Sequence, residues 1–86
     1  MRFTYDDEVD VLYVFLREGA TIEGSIVVDD DRTVDLDSRG RPIGIEVLGA
    51  SERVALSDIA GQFELQDRWE ALSAIEETPF RRAVRA

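Results

Sequence analysis

The chain has 86 residues, 44% of them hydrophobic, with a formal net charge of −9 and no Cys, His or Lys. Those absences remove disulfides, thiolate zinc sites, thiol nucleophiles, the usual general base near neutral pH, and the lysines of Schiff bases and phosphate loops. The acidic balance opposes nucleic-acid binding, which phosphate neutralisation drives, and suits a basic partner.

The N-terminus, Met-Arg-Phe-Thr-Tyr-Asp, has no apolar signal region, and no apolar run approaches the ~20 residues needed to cross a bilayer. A cytoplasmic protein with no membrane contact is expected. A short first strand is predicted over Arg2–Tyr5, then a polar turn at Asp6-Asp7-Glu8. Val9–Leu16 is rich in β-branched and aromatic residues and reads as the strongest strand. Val9, Val11, Tyr13 and Phe15 alternate with Asp10, Leu12, Val14 and Leu16, so both faces are mostly apolar. That pattern predicts a strand covered on both sides, by a helix on one and a second sheet or subunit on the other. Thr21–Val28 reads as a third strand weakened at Gly24, and Asp29-Asp30-Asp31 as a loop.

Arg32–Asp37 and Arg41–Leu48 alternate cleanly about Ser38-Arg39-Gly40, with Gly40 suited to a left-handed turn position. The same stretch, Asp35-x-Asp37-x-Arg39-Gly40-x₅-Glu46, nearly matches a calcium loop, which needs oxygens at positions 1, 3, 5 and 12 and Gly at 6. Arg39 puts a cation where an oxygen belongs, and the flanks read as strands, so the hairpin is preferred. Gly44, inside the second arm, predicts a close approach or a bulge and leaves room above the sheet beside Glu46. Further on, Ser57-Asp58 caps a short helical turn through Ile59 and Ala60. Asp67–Glu77 reads as the main helix, with Asp67 and Glu70 as a capping box and Leu65, Trp69, Leu72 and Ile75 as its apolar stripe. Thr78-Pro79 ends it and opens a last short helix, with Phe80, Ala83 and Val84 on one face.

The expected architecture is α+β: an antiparallel β-meander of four or five strands with a C-terminal helix packed on one face, in a single domain over 1–86. Residues 1–51 form its strand-rich core and 52–86 a helical extension. A chain this short buries only about 60–65% of its unfolded surface, so its core is thin. With the two-sided second strand, this predicts a homo-oligomer, dimer or higher. Residues 1–79 carry 7 Arg against 19 acids, whereas Phe80–Ala86 carries three Arg and no acid. That basic tail is expected to lie on the chain's own acidic surface or in solvent.

The front half resembles a family of small bacterial proteins, the YuzE-like group known as domain of unknown function 2283. The resemblance rests on Tyr5-Asp6, Asp10-Val11-Leu12-Tyr13, the run from Gly40 through Gly44-Ile45-Glu46-Val47-Leu48, and Ala50-Ser51, covering about residues 1–51. It implies a small α+β fold and brings no established activity, and some relatives look like companions of toxin genes.

Three residues are candidate ligand-binding positions. Asp10 stands among apolar neighbours and is expected to be buried and paired with an Arg. Tyr13 is expected in the core, with stacking on a ligand as the alternative. Glu46 is read as a partner for Arg41 or Arg53, or as a ligand anchor beside the space at Gly44. The acidic groups at Asp6, Asp7, Glu8 and Asp10 and at Asp29–Asp31 are read as solvated turns rather than magnesium sites. Ser51 and Ser57 have no His or Lys to activate them. No catalytic residue, metal or cofactor is assigned. The expected function is a non-enzymatic interaction or regulatory module, antitoxin-like, binding a basic partner. The alternative is an oligomeric small-ligand or divalent-metal-binding protein.

Overall fold

The computed structural model describes residues 1–84. Five strands, β1 (Phe3–Asp6), β2 (Val11–Phe15), β3 (Gly24–Val27), β4 (Arg32–Leu36) and β5 (Pro42–Leu48), precede helix α1 (Ser57–Gln62), a 3₁₀ turn (Gln66–Arg68) and helix α2 (Trp69–Glu76). All pairings are antiparallel, in the order β1-β2-β5-β4-β3. The predicted α+β class is thus observed, with one addition. The last strand in sequence returns to the middle of the sheet, where it pairs with both β2 and β4.

Alternation places the side chains. Leu12 and Val14 of β2, Val34 of β4 and Ile43, Ile45 and Val47 of β5 face the helices and are buried. All of these but Ile43 meet Leu56, Ile59, Ala60, Leu65, Leu72 and Ile75 in one apolar cluster. The stripe predicted for α2 is therefore the packing face, with Trp69 half-buried at its start. Arg32 stitches the layers together. Its guanidinium reaches from β4 to both carboxylate oxygens of Asp58 on α1 (2.7 and 2.8 Å) and to the Ala55 carbonyl (2.8 Å).

Several expectations are corrected. Val9 and Asp10 lie outside β2, because the Asp6 carboxylate closes a turn by accepting from the Glu8 and Val9 amides (3.0 and 3.4 Å). Asp10 then takes a left-handed backbone, φ 59°, which Asp tolerates better than most residues. The third strand is four residues long and does not reach back to Thr21. The capping box does not form. Asp67 sits in the 3₁₀ turn, and no side chain caps α2. Burial of Leu65 sets this entry, since the Arg68 amide bonds to the Leu65 carbonyl three residues back (2.9 Å). At α1, the N-cap residue makes no side-chain cap hydrogen bond, Asp58 in the first turn binds Arg32, and Gly61 lies within the helix. The final helix does not form among the described residues. The Thr78 hydroxyl bonds back to the Ala74 carbonyl (2.9 Å), and the Ala83 amide goes to the Asp7 carbonyl (2.9 Å). Phe80 packs on Phe3 and Tyr5 (ring centroids 5.6 and 4.8 Å), so the tail lies back along β1. Arg85, the last cation of that tail, falls outside the described residues.

Candidate functional site

Both helices lie on one side of the sheet. The opposite side carries Val11, Tyr13 and Phe15 from β2, Gly44, Glu46 and Leu48 from β5, Thr33 and Asp35 from β4, and Ser25 and Val27 from β3, as the pairing register requires. The helices pack on the Leu12, Val14, Ile45 and Val47 side, and no helix of the described residues covers this face, so the covering predicted for both sides of β2 is met on one side within the chain.

Tyr13 crosses this open face. Its hydroxyl donates to the Asp35 carboxylate (2.8 Å), whose other oxygen accepts from the Ser25 hydroxyl (2.7 Å). The ring passes directly over Gly44, where any Cβ would overlap it. The space expected beside Glu46 is therefore filled, and Gly44 is glycine to let Tyr13 through. Burial and the neighbouring Asp35, with Glu46 adding its charge, push the Tyr13 phenol well above its ordinary range. Glu46 stands opposite Tyr13 in the β2–β5 register and opposite Thr33 on β4. No hydrogen bond or ion pair among the described residues reaches its carboxylate, so neither Arg41 nor Arg53 is its partner. Arg41 instead binds Asp37, which also accepts from the Arg39 and Arg41 amides. Asp35, Asp37 and Glu46 thus serve separate partners or none, and do not converge as a calcium loop would require.

Asp10 belongs to a different place. It is 5% exposed, at the end of the sheet where β1 turns into β2. Its carboxylate accepts from the Tyr5 hydroxyl (2.6 Å), the Ser51 amide (2.9 Å) and the Ser51 hydroxyl (2.7 Å). Its carbonyl accepts from the Gly49 amide (2.9 Å) and the Ala50 amide (3.3 Å). Asp10 is buried as expected, but its direct partners are a tyrosine and a serine rather than an arginine. Burial opposes its ionisation; the hydrogen bonds from Tyr5 and Ser51 outweigh that, and the field of Arg82 adds to them, holding the carboxyl below its usual range. Burial, then the hydrogen bond to Asp10, pushes the Tyr5 phenol up to about 12. A carboxylate held so acidic is a poor base, so its contact with Ser51 does not make a nucleophile.

The three candidate residues therefore form two sites. Tyr13 and Glu46 share the open sheet face; Asp10 ties the β1–β2 turn to the end of β5. Alternation could have brought Asp35 into the first group, since it faces the same side as Tyr13. Ser51 carried no local signal, being 41 residues from Asp10. A cleft of about 240 Å³ borders both at the end of β5, lined by Asp29, Arg32, Leu48, Glu52 and Arg53 among others. It is smaller than most ligand pockets, and its Arg32 is already committed to Asp29 and Asp58. Among the described residues, no group of three or more carboxylates is placed to hold a metal ion, and no helix is long and apolar enough to cross a membrane.

The fold and these networks define a small α+β protein whose sheet is shielded on one side and open on the other. The chain belongs to the family described as protein of unknown function (DUF2283), whose model matches residues 2–51. No curated protein and no solved structure matches the chain. The matched span holds the whole sheet and both hydrogen-bond networks, and it stops before α1. The motif residues Tyr5, Asp10 and Ser51 are thus explained as one structural joint, and Tyr13 and Gly44 as one crossing.

Proposed function

We propose that this chain is a non-catalytic interaction module whose open sheet face docks a basic protein partner, as an antitoxin-like or regulatory protein would. The observation that carries the reading is the composition of that face. Val11, Tyr13 and Leu48, with Phe15 beneath the Arg2 guanidinium (3.8 Å), form an apolar stripe across β2 and β5, and Glu46 stands within it with no ion-pair partner among the described residues. A stripe of this kind supplies apolar contact, while an unpaired carboxylate beside it selects a cation on the incoming surface. The net charge of −9 steers such a partner from a distance.

The test is co-expression with the product of the neighbouring reading frame, followed by purification on the tagged chain. Stoichiometric recovery of a basic protein is expected, weakening with salt and lost in the double variant V11T/L48S. Failure of the neighbour to co-purify, or equal recovery by the double variant, overturns the reading.

The same stripe favours a second reading, a homodimer closed face to face, which would complete the thin core. Sedimentation separates the two. A dimer that V11T/L48S converts to monomer supports the second reading. A monomer that dimerises only with its partner supports the first.

A further inference from the structure

The outer edge of the sheet at β3 is built differently from the rest of the surface. The Val28 amide bonds to the Arg32 carbonyl (2.9 Å), and Val27 stands opposite Thr33 in the register. Antiparallel strands alternate between bonded and non-bonded pairs. Ser25 and Val27 therefore turn their own N–H and C=O groups away from β4, toward solvent. All four residues of β3 are exposed, Val27 at 72%, with Ile22 also exposed nearby.

Sheet edges are ordinarily blunted by lysine, proline or an inward charge. From Gly24 to Val28 there is none of these. Instead, uncompensated carboxylates flank the strand. Glu23 precedes it, and Asp30 and Asp31 follow it, and no ion pair reaches their side chains among the described residues. The nearby Arg32 is occupied by Asp29 and Asp58.

From this edge we infer that β3 accepts an extended segment of a partner protein as a sixth strand, one with apolar residues at alternate positions and a basic residue at each end. Backbone pairing to Ser25 and Val27 supplies affinity, and the flanking acids choose the ends. Charge argues against a second copy of this chain. Antiparallel pairing of two β3 strands about Ser25 or Ile26 sets the Glu23 of each copy at or about two residues from the acidic run 29–31 of the other, and each copy already carries −9. The inference rests on the interaction-module reading for the sign of the partner's charge alone, since the edge pairs through outward backbone groups of β3, two strands away from the Val11–Leu48 pair, although the Val27 side chain borders the same face.

The probe is the peptide Arg-Val-Thr-Val-Thr-Val-Arg with blocked ends, followed by amide shifts and by hydrogen exchange at Ser25 and Val27. Saturable binding is expected, with slowed exchange at those two amides. Binding should fall at least tenfold when both terminal arginines of the probe become glutamate. It should fall as much in Val27→Pro, which removes an outward-facing N–H where an edge strand tolerates proline. Val27→Lys keeps the N–H, repels the probe and serves if the proline variant melts early. No saturation below roughly 1 mM, undiminished binding by both folded variants, or shifts centred on Val11 and Leu48 overturns the inference. If V11T/L48S abolishes capture of the protein partner while V27P retains it, edge pairing fails and the open-face reading stands. The converse result overturns the open-face reading and keeps the edge.

Discussion

Tyr5 and Tyr13 are the only tyrosines in the chain, and each gives its hydroxyl to a carboxylate. Both phenols are raised in the folded state, so the stability they contribute is complete below the unfolded value of about 10 and is lost as pH climbs through the folded values. The native protein should show almost no phenolate absorbance at pH 10, whereas the urea-unfolded chain should be half ionised there. Half ionisation of the native protein at pH 10 would contradict the two hydrogen bonds. Gly44 gives a second test. Gly44→Ala forces a methyl group into the Tyr13 ring and should cost about 1–3 kcal/mol by chemical denaturation. Adding Tyr13→Val should recover most of that loss, and strict additivity would mean the crossing is not the cause. The burial of Asp10 was legible from its apolar neighbours. Its left-handed backbone and its bond to Ser51 were not, because both depend on how β5 ends. Gly44 announced a close approach, but the identity of the visitor needed the register that sets Tyr13 beside it.

Among the elements, the strand faces were readable because alternation leaves little freedom once one face is buried. Val34, Ile43, Ile45 and Val47 all face the core as their spacing required. Helix ends were not readable, since a local cap competes with tertiary contacts. Asp58 gives its carboxylate to Arg32, and the Leu56 amide is satisfied by Glu76 from the end of α2 (2.9 Å). That makes Arg32 the clearest element-scale target. Asp29 and Asp58 are each about half exposed, 48% and 55%, so solvent screens much of the pairing. Arg32→Lys keeps the charge but loses the planar fork that reaches both carboxylates and the Ala55 carbonyl. It should lower stability by about 1 kcal/mol, read as an earlier melt. An unchanged melt would mean that α1 is held by Ile59 and Ala60 alone.

For the whole molecule, acid is the decisive stress. Asp29 and Asp58 through Arg32, Asp37 through the Arg41 amide and side chain, and Asp10 through Tyr5 and Ser51 are all held below the ordinary carboxyl range. A lowered folded pKa gives stability that is present above the unfolded value near 3.9 and disappears as pH falls through the folded one. The melting temperature should therefore be nearly flat from pH 8 to about 5 and drop below about pH 4. Asp10→Asn should make that drop shallower, and a melting temperature that rises below pH 4 would show that relief of the excess negative charge dominates instead. The sheet order bears on how the chain is made. Its middle strand is the last one translated, and 26 residues separate the end of β2 from the start of β5. A two-stranded ribbon alone is marginal in water, so at 5–20 residues per second the uncharged stretch Val11-Leu12-Tyr13-Val14-Phe15 emerges from the ribosome seconds before its inner neighbour exists. Segments of that composition are prone to mispair with other nascent chains. Asp10 and Arg17, which bracket the stretch in sequence, then act as gatekeepers during synthesis, before either has taken up its folded contacts.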